Sequence, residues 1–313
     1  MLGAPQGSTL AARPQGRLAR REYFAACRSS STRSRAPPCA GSTTGTDATP
    51  PTREQKAADF RALHEGDAFI IPNPWDAGSA RVLEALGFKA LATTSSGFAF
   101  TLGRQDGATT LDDVAEHVRL LVRSTSLPVS VDLENGYGAE PEAAATAIVR
   151  AAEAGAVGGS IEDYDRDDGI YELAHAVERV AAAREAADGL GFPFTLTGRA
   201  ENHIRGNPDL GDTVARLQAY ERAGADVLYA PGLRTADEIR AVCDAVSKPV
   251  NVLARPELTM QEIVAAGARR VSVGGALTWT AVGAMAAAAE RMRDQGDFSA
   301  LDVPLRIDEW LGG

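Results

Sequence analysis

The chain has 313 residues, 44% of them hydrophobic and 24% charged, with a formal net charge of −10 and a pI near 5.0. These values fit a soluble globular protein and argue against nucleic acid or an anionic membrane as a main partner. No apolar run reaches membrane-spanning length, while anionic substrates stay possible wherever a metal or arginines reverse the sign locally.

Residues 1–52 read as a disordered Arg/Ser/Pro-rich leader, since the first 46 hold seven arginines, one acid (Glu22) and no apolar period. Two readings stand: an extension without function, favoured by the Ala/Arg/Gly-rich composition of the whole chain, or an organelle transit peptide. Cys27 and Cys39 lie here, and Cys243 further on. Their odd number and spacing match no zinc pattern and point to reduced thiols in an intracellular, cytoplasmic protein.

Between residues 53 and 296 short β-rich runs alternate with amphipathic Ala/Leu/Glu/Arg patterns. After a helix at 53–64, strands are expected at 68–72, 90–94, 129–133, 158–161, 194–197, 227–230, 250–253 and 270–273. Helices are expected between them at 78–86, 111–124, 141–154, 171–187, 212–223, 236–246 and 260–266, with a last one near 280–295. Gly87, Gly155, Gly224 and Gly267 each close an Ala/Leu-rich turn ahead of a strand, where a left-handed residue ends a helix. Eight such units predict an α/β protein folded as a (β/α)8 TIM barrel, with a doubly wound open sheet as the alternative. Residues 297–313 form a C-terminal tail, whose Trp310 and Leu311 are expected to pack on a neighbouring subunit.

Both folds place reactive groups at the carboxyl ends of strands, so the strand exits carry the functional reading. The first strand ends in Asn73-Pro74-Trp75-Asp76, and the second in Thr94-Ser95-Ser96-Gly97-Phe98 with Gly103-Arg104-Gln105-Asp106-Gly107 beyond. The third ends in Asp132-Leu133-Glu134-Asn135-Gly136-Tyr137-Gly138, and the fourth in Glu162-Asp163. The fifth gives Gly198-Arg199-Ala200-Glu201-Asn202-His203, the sixth ends blandly in Ala230-Pro231-Gly232, the seventh gives Ala254-Arg255 and the eighth Gly274-Gly275.

Carboxylates at the tips of buried strands are costly unless a cation or hydrogen bonds compensate them. Two such tips side by side in a parallel sheet make a hard, oxygen-lined site suited to Mg²⁺. Acids on strands two to four, with cations on five and seven, give a metal plus anion-binding layout. A Lewis acid polarises a carbonyl, arginine holds a carboxylate by paired hydrogen bonds, and together they stabilise an enolate. Plainer readings compete at single positions. Asp76 could cap a helix, Asp106 could sit in a turn, and Arg199 could be a structural ion-pair partner. Asp163, Asp165, Asp167 and Asp168 read as a solvated loop, His64, His117 and His175 as surface or packing residues, and Cys243 as core.

Taken as a set, Asp132-Leu133-Glu134-Asn135-Gly136-Tyr137-Gly138, Ile161-Glu162-Asp163, Gly198-Arg199-Ala200-Glu201, Asp76-Ala77-Gly78-Ser79-Ala80-Arg81 and Ser96-Gly97-Phe98 with Leu102-Gly103-Arg104-Gln105-Asp106 resemble the isocitrate lyase/phosphoenolpyruvate mutase superfamily. The resemblance runs from about residue 55 to 290. It implies a barrel whose eighth helix is exchanged between subunits, in a homotetrameric dimer of dimers. It implies Mg²⁺, with Mn²⁺ as a substitute, on Asp132, with Glu134 and Glu162 as direct or water-mediated partners. Ser95, Ser96, Gly97 and Phe98 would hold a small carboxylate substrate, with Asp76, Arg199 and Asn202 also in contact. Asp106, Arg199 and Glu201 would be catalytic.

The implied activity is a lyase-type cleavage or formation of a C–C bond in a small 2-hydroxy or 2-oxo acid through a metal-stabilised enolate. The alternatives are a phosphonomutase, a phosphonopyruvate or oxaloacetate hydrolase, and a carboxylate-binding paralogue without turnover. Departures from the superfamily pattern bear on the choice: the missing cysteine loop motivates the last alternative, and the missing phosphonate histidine puts C–C lyase or hydrolase chemistry ahead of phosphonate rearrangement. The lyases' Lys-(Lys/Arg)-Cys-Gly-His loop is replaced by Tyr164-Asp165-Arg166-Asp167-Asp168-Gly169-Ile170-Tyr171, their Asn-x-Thr-Glu by Ala254-Arg255-Pro256-Glu257, and the phosphonate-handling histidine by Ala230-Pro231. Glu134 also stands where mutases commonly carry aspartate.

Overall fold

A computed structural model of the chain describes residues 50–312. Eight strands are mutually parallel: β1 Phe69–Ile71, β2 Leu91–Ala92, β3 Val129–Asp132, β4 Gly158–Glu162, β7 Thr195–Arg199, β8 Val227–Tyr229, β9 Val250–Leu253 and β10 Arg270–Ser272. Two more, β5 Tyr164–Asp165 and β6 Gly169–Ile170, form a separate antiparallel hairpin. The helices are α1 Arg53–Leu63, α2 Ala77–Ala85, α3 Ser95–Thr101, α4 Leu111–Ser124, α5 Pro141–Glu153, α6 Leu173–Asp188, α7 Leu210–Arg222, α8 Ala236–Ala245, α9 Met260–Ala265, α10 Ala276–Gln295 and α11 Ile307–Leu311.

The parallel strands run in the order β1-β10-β9-β8-β7-β4-β3-β2. At the β1–β2 seam the Ala92 N–H reaches the Pro72 carbonyl at 3.1 Å, and Asn73 Nδ2 donates to the Thr93 carbonyl at 2.9 Å. The nearly closed (β/α)8 barrel expected from the eight-unit pattern is therefore present, and the open-sheet alternative falls away.

Local chemistry explains the boundaries. Thr52, Asp76, Thr110, Thr235 and Thr259 each build a reciprocal capping box with the residue three positions on, which satisfies two otherwise orphaned N–H groups per helix. The four glycines expected to end helices all have positive φ, between 86° and 105°. At Gly267 a side chain would also strike Cys243 Cβ at 2.8 Å. Cys243 itself is half-buried on α8, and burial pushes its thiol up to about 11, so it is a packing residue rather than a nucleophile. Residues 1–49 of the expected leader lie outside the described residues, with Cys27 and Cys39 among them.

Two elements differ from the expectation. Ser95–Thr101 is a short helix, not an open strand exit, because Thr94 caps it and Phe98 and Ala99 turn into the core. Residues 164–170 fold back as a hairpin, since Asp165 accepts from the N–H groups of Asp167 and Asp168 and organises the turn.

His117 on α4 is buried, stacks on Phe98 with ring centroids 4.0 Å apart, and is pushed down to about 4 by burial. His64, the C-cap of α1, is buried and pushed down to about 3, first by burial and then by Arg270. A histidine with a lower pKa in the native state binds fewer protons there than in the unfolded chain. Stability is therefore lost as pH falls below the ordinary histidine value of about 6.5, by up to about 1.4 kcal/mol per pH unit for each group. His117→Phe should remove one such share, so that moving from pH 7 to pH 5 costs the variant about 2 kcal/mol less than the wild type. Urea unfolding at both pH values measures this; equal losses in the two proteins would contradict the assignment.

Candidate active site

The exit of β3 is shaped from outside the strand. Arg179 of α6 is fully buried, and its guanidinium donates to the carbonyls of Asn135, Gly138, Ala139 and Glu140. This clamp holds a turn in which Glu134 and Tyr137 adopt left-handed φ values of 48° and 64°. Such conformations are strained for side-chain-bearing residues. Asn135 Nδ2 then ties the turn to the hairpin through Asp165 at 2.9 Å and the Tyr171 hydroxyl at 3.0 Å.

Register brings the acids together around one cation. Glu162 and Arg199 are direct neighbours across β4 and β7. Arg199 Nη2 lies 3.2 Å from Glu162, Nη1 lies 3.4 Å from Asp132, and Nε donates to Glu201. Its guanidinium also sits 5.2 Å from the centre of the Tyr229 ring. Asp132 is oriented further by the N–H groups of Ser95 at 3.4 Å and Glu134 at 3.3 Å. Arg205 adds a second guanidinium, 3.0 Å from Glu201 and stacked over Tyr164.

Acid remains in excess. Burial, with Asp132 and Asp106 nearby, pushes Glu134 up to about 7. Burial also raises Glu162 well above the carboxylate range; Glu201 and Asp132 add to the rise, which Arg199 opposes. Carboxyls forced toward protonation by crowding are groups that a bound cation would return to the ionised form. The donor set is all oxygen, which suits a hard divalent ion. Among the described residues no three acid, imidazole or thiol side chains are grouped closely enough to hold a metal by themselves. Mg²⁺ does not need such a cage, since it keeps several waters and binds through one or two carboxylates plus substrate.

Asp132 and Arg199 line a cavity of about 150 Å³ that also receives Ser95, Ser96 and Asp106. A larger cavity, about 680 Å³, opens where β7 and β8 begin, at Thr195 and Val227. Its Arg184 is already paired with Asp188 and Asp226. The smaller cavity, at the carboxyl ends of the strands, is where barrel enzymes carry out their chemistry.

The other expected site residues are distributed as follows. Asp76 is exposed and accepts from the Ser79 N–H at 2.7 Å as the cap of α2; it is not among the cavity-lining residues. Gly97 and Phe98 are buried in α3, and their N–H groups go to Thr94. Ser95 and Ser96 are the members of that run that face the cavity. Asn202 is fully buried, its amide donating to Asn207, Asp209 and Thr213, so it fastens the loop after β7. Glu201 is fully buried between Arg199 and Arg205, a position that orients the guanidinium rather than touching a substrate. Glu134 stands on the acid cluster's edge, accepting from Tyr137 at 3.3 Å. Asp106 lines the cavity on a loop that Arg166 fastens through the Asp106 carbonyl. Asp163 is not part of a solvated loop: it is buried and accepts from Arg216, Tyr220 and the Glu201 N–H.

Tyr229, Asn251 and Arg270 also line the cavity and were not expected there. The signal was a polar residue inside an apolar strand, as in Val250-Asn251-Val252. The cation expected from Arg255 is replaced in the lining by Arg270.

The profile of the phosphoenolpyruvate phosphomutase family matches residues 60–293. The chain belongs to that family. Within the wider phosphoenolpyruvate mutase/isocitrate lyase superfamily it is 30% identical to a 2-methylisocitrate lyase of Halalkalibacterium halodurans over 211 residues, 64% of this chain and 68% of the relative. A solved structure from Burkholderia cenocepacia J2315, described only as a lyase/mutase, superposes with a TM-score of 0.81 at 52% identity, covering 83% of this chain and 97% of the other. A phosphonopyruvate hydrolase in complex with oxalate and Mg²⁺ superposes with a TM-score of 0.73 at 25% identity, covering 82% and 95%. Members of this superfamily are lyases, mutases and hydrolases of small acids.

Proposed function

We propose that this family member is a Mg²⁺-dependent lyase-type enzyme that cleaves or forms a C–C bond next to the carbonyl of a small 2-oxo or 2-hydroxy carboxylate. The observation that carries the reading is the convergence of Asp132 and Glu162 on Arg199, with Asp132 and Arg199 at the cavity wall. Asp132 would hold the cation directly, with Glu134 and Glu162 receiving its waters. The ion would supply Lewis-acid polarisation of the substrate oxygens. Arg199 would donate to the oxygen on which enolate charge develops, held in line by Glu201. Ser95 and Ser96 would position a carboxylate, and Asp106 would stand close to the reacting carbon.

NMR of the protein mixed with Mg²⁺ and, in turn, oxaloacetate, 2-methylisocitrate, dimethylmalate and phosphonopyruvate tests the reading. One substrate should be turned over, and EDTA should abolish that turnover. Turnover undiminished by EDTA would contradict the metal assignment. A second reading, carboxylate binding without turnover, is favoured by the hairpin, which offers neither cysteine nor histidine at residues 164–171. Thermal stabilisation without product across the whole panel would support it.

We further propose a homo-oligomer built on α10. This 20-residue helix buries only Thr278, and it exposes Trp279 and Met285, with Phe298 and Leu305 beyond it. An apolar surface of this extent calls for a partner, and a second copy of the chain that seats α10 fits the expected exchange. Sedimentation of the full chain as a monomer would count against it. No helix among the described residues is long and apolar enough to cross a membrane.

A further inference from the structure

Among the described residues, Arg179 is a buried cation with no ion-pair partner. It is 1% exposed on α6 and does not line the cavity that Asp132 and Arg199 share. Every hydrogen bond it makes goes to a backbone carbonyl. Nη1 donates to Gly138 at 2.9 Å, to Ala139 and to Glu140 at 3.0 Å, and Nη2 donates to Asn135. The centre of the Tyr171 ring lies 4.7 Å from the guanidinium carbon, and Nε has no hydrogen-bond partner. One turn earlier on α6, His175 Nε2 lies 2.9 Å from the same Ala139 carbonyl. A charge buried among neutral dipoles is costly, and here all of it is directed at the backbone of residues 135–140.

That backbone is the strained turn after β3. Glu134 and Tyr137 are left-handed, with Gly136 between them at a φ of 83°. Only the glycine adopts such a conformation freely. A Cβ on Gly136 would strike Ala144 Cα at 2.9 Å, so the turn is also pressed against α5. Strain of this kind persists only where the surroundings over-determine it, and the four carbonyl bonds to Arg179 supply that constraint.

What the turn delivers is the acid cluster. The Glu134 N–H points to Asp132 Oδ1 at 3.3 Å, and the Glu134 carbonyl accepts from the Glu162 N–H at 2.9 Å. The Tyr137 hydroxyl donates to Glu134 Oε1 at 3.3 Å. The three carboxylates proposed for the cation are therefore joined through one residue, Glu134, whose conformation depends on the turn that Arg179 grips.

We propose that Arg179 is a positioning residue of the cation site. Acting through the β3 turn, it fixes the spacing of Asp132, Glu134 and Glu162 tightly enough to favour Mg²⁺ over larger divalent ions. The inference rests on the metal reading and adds to it what sets the site's selectivity. Mg²⁺ demands near-ideal octahedral geometry at about 2.1 Å, whereas Ca²⁺ accepts longer bonds in a flexible shell. A rigid turn discriminates between the two ions, and a loosened one does not.

Electron paramagnetic resonance of free Mn²⁺, with Mg²⁺ and Ca²⁺ as competitors, measures the three affinities. The wild type should bind Mn²⁺ at one site that Asp132→Ala removes. Arg179→Lys keeps the charge, but a single ammonium cannot span four carbonyls as the planar guanidinium does. This variant should bind Mg²⁺ at least about tenfold more weakly than wild type, and Ca²⁺ within about threefold. An unchanged Mg²⁺ affinity, or an equal loss for both ions, would overturn the proposal. Should Arg179→Lys fail to fold, the wild type decides. Crystals without metal and crystals with Mg²⁺ should show the same left-handed Glu134 and Tyr137 and the same four carbonyls on Arg179. A turn that takes this shape only with the ion bound overturns the proposal, since the cation would then shape the turn. A wild type that binds no Mn²⁺ has a different signature: it contradicts the metal reading and takes this assignment with it.

Discussion

Asp132→Ala should abolish turnover while leaving the fold intact or slightly firmer. Removing the carboxylate proposed to hold the cation would take away several kcal/mol of charge stabilisation in the transition state, about a thousandfold or more in kcat. The effect on stability has the opposite sign from an ordinary ion-pair deletion. Asp132 adds negative charge to a crowded cluster, in which it helps to raise both Glu134 and Glu162. Arg199 keeps Glu162 and Glu201 as partners when Asp132 is gone. The metal-free variant should therefore unfold within about 1 kcal/mol of wild type, or at slightly higher denaturant. Steady-state kinetics and urea unfolding check the two halves separately. Full activity, or a loss of stability of several kcal/mol, would contradict this account.

Arg199→Gln should fail on both counts. Glu201 has no exposed surface and Glu162 has little, and Arg199 partners both of them. Taking one member from a buried charged set typically costs about 3–5 kcal/mol, because the remaining charges are left uncompensated. For a barrel of this size that is a melting-temperature drop of roughly 6–20 °C. Activity should fall by at least a thousandfold, since no other donor on β7 points at the cavity beside Asp132. Arg199→Lys should recover part of the stability but little of the activity. A single ammonium cannot span Asp132, Glu162 and Glu201 as the planar guanidinium does. Stability unchanged in Arg199→Gln, measured by calorimetry, would show that the acids are compensated elsewhere.

The contrast between these two variants reflects what the sequence could reveal. The acids on β3 and β4 were legible because a carboxylate ending an apolar run needs a partner, and that argument holds before any fold is known. The same logic located Arg199. It could not separate Arg199, which faces the cavity, from Glu201, which turns beneath it, because a two-residue spacing after a strand end no longer obeys strand alternation. Asp76 had two readings, and the capping box with Ser79 accounts for its carboxylate locally. Asn202 is expected at the substrate from its place after a strand end, whereas its bonds to Asn207, Asp209 and Thr213 appear only once the following loop closes over it. Arg270 follows Arg269 and looks like half of a surface pair. Only barrel closure, which seats β10 between β1 and β9, turns its side chain inward. The clamp of Arg179 on the β3 turn joins backbone carbonyls about 40 residues away, and side-chain-to-carbonyl contacts of that range leave no pattern in sequence.

Everything proposed for the site requires Asp132 and its neighbouring acids to capture one divalent ion beside Arg199. A crystal structure of the wild type with Mn²⁺ and oxalate, phased on the manganese anomalous signal, tests it most directly. One strong peak is expected about 2.1 Å from an Asp132 oxygen, with oxalate completing the coordination, Arg199 donating to the oxalate, and Glu134 and Glu162 reached through water. An anomalous peak elsewhere, or none while oxalate is bound and Asp132 still rests against Arg199, would contradict it.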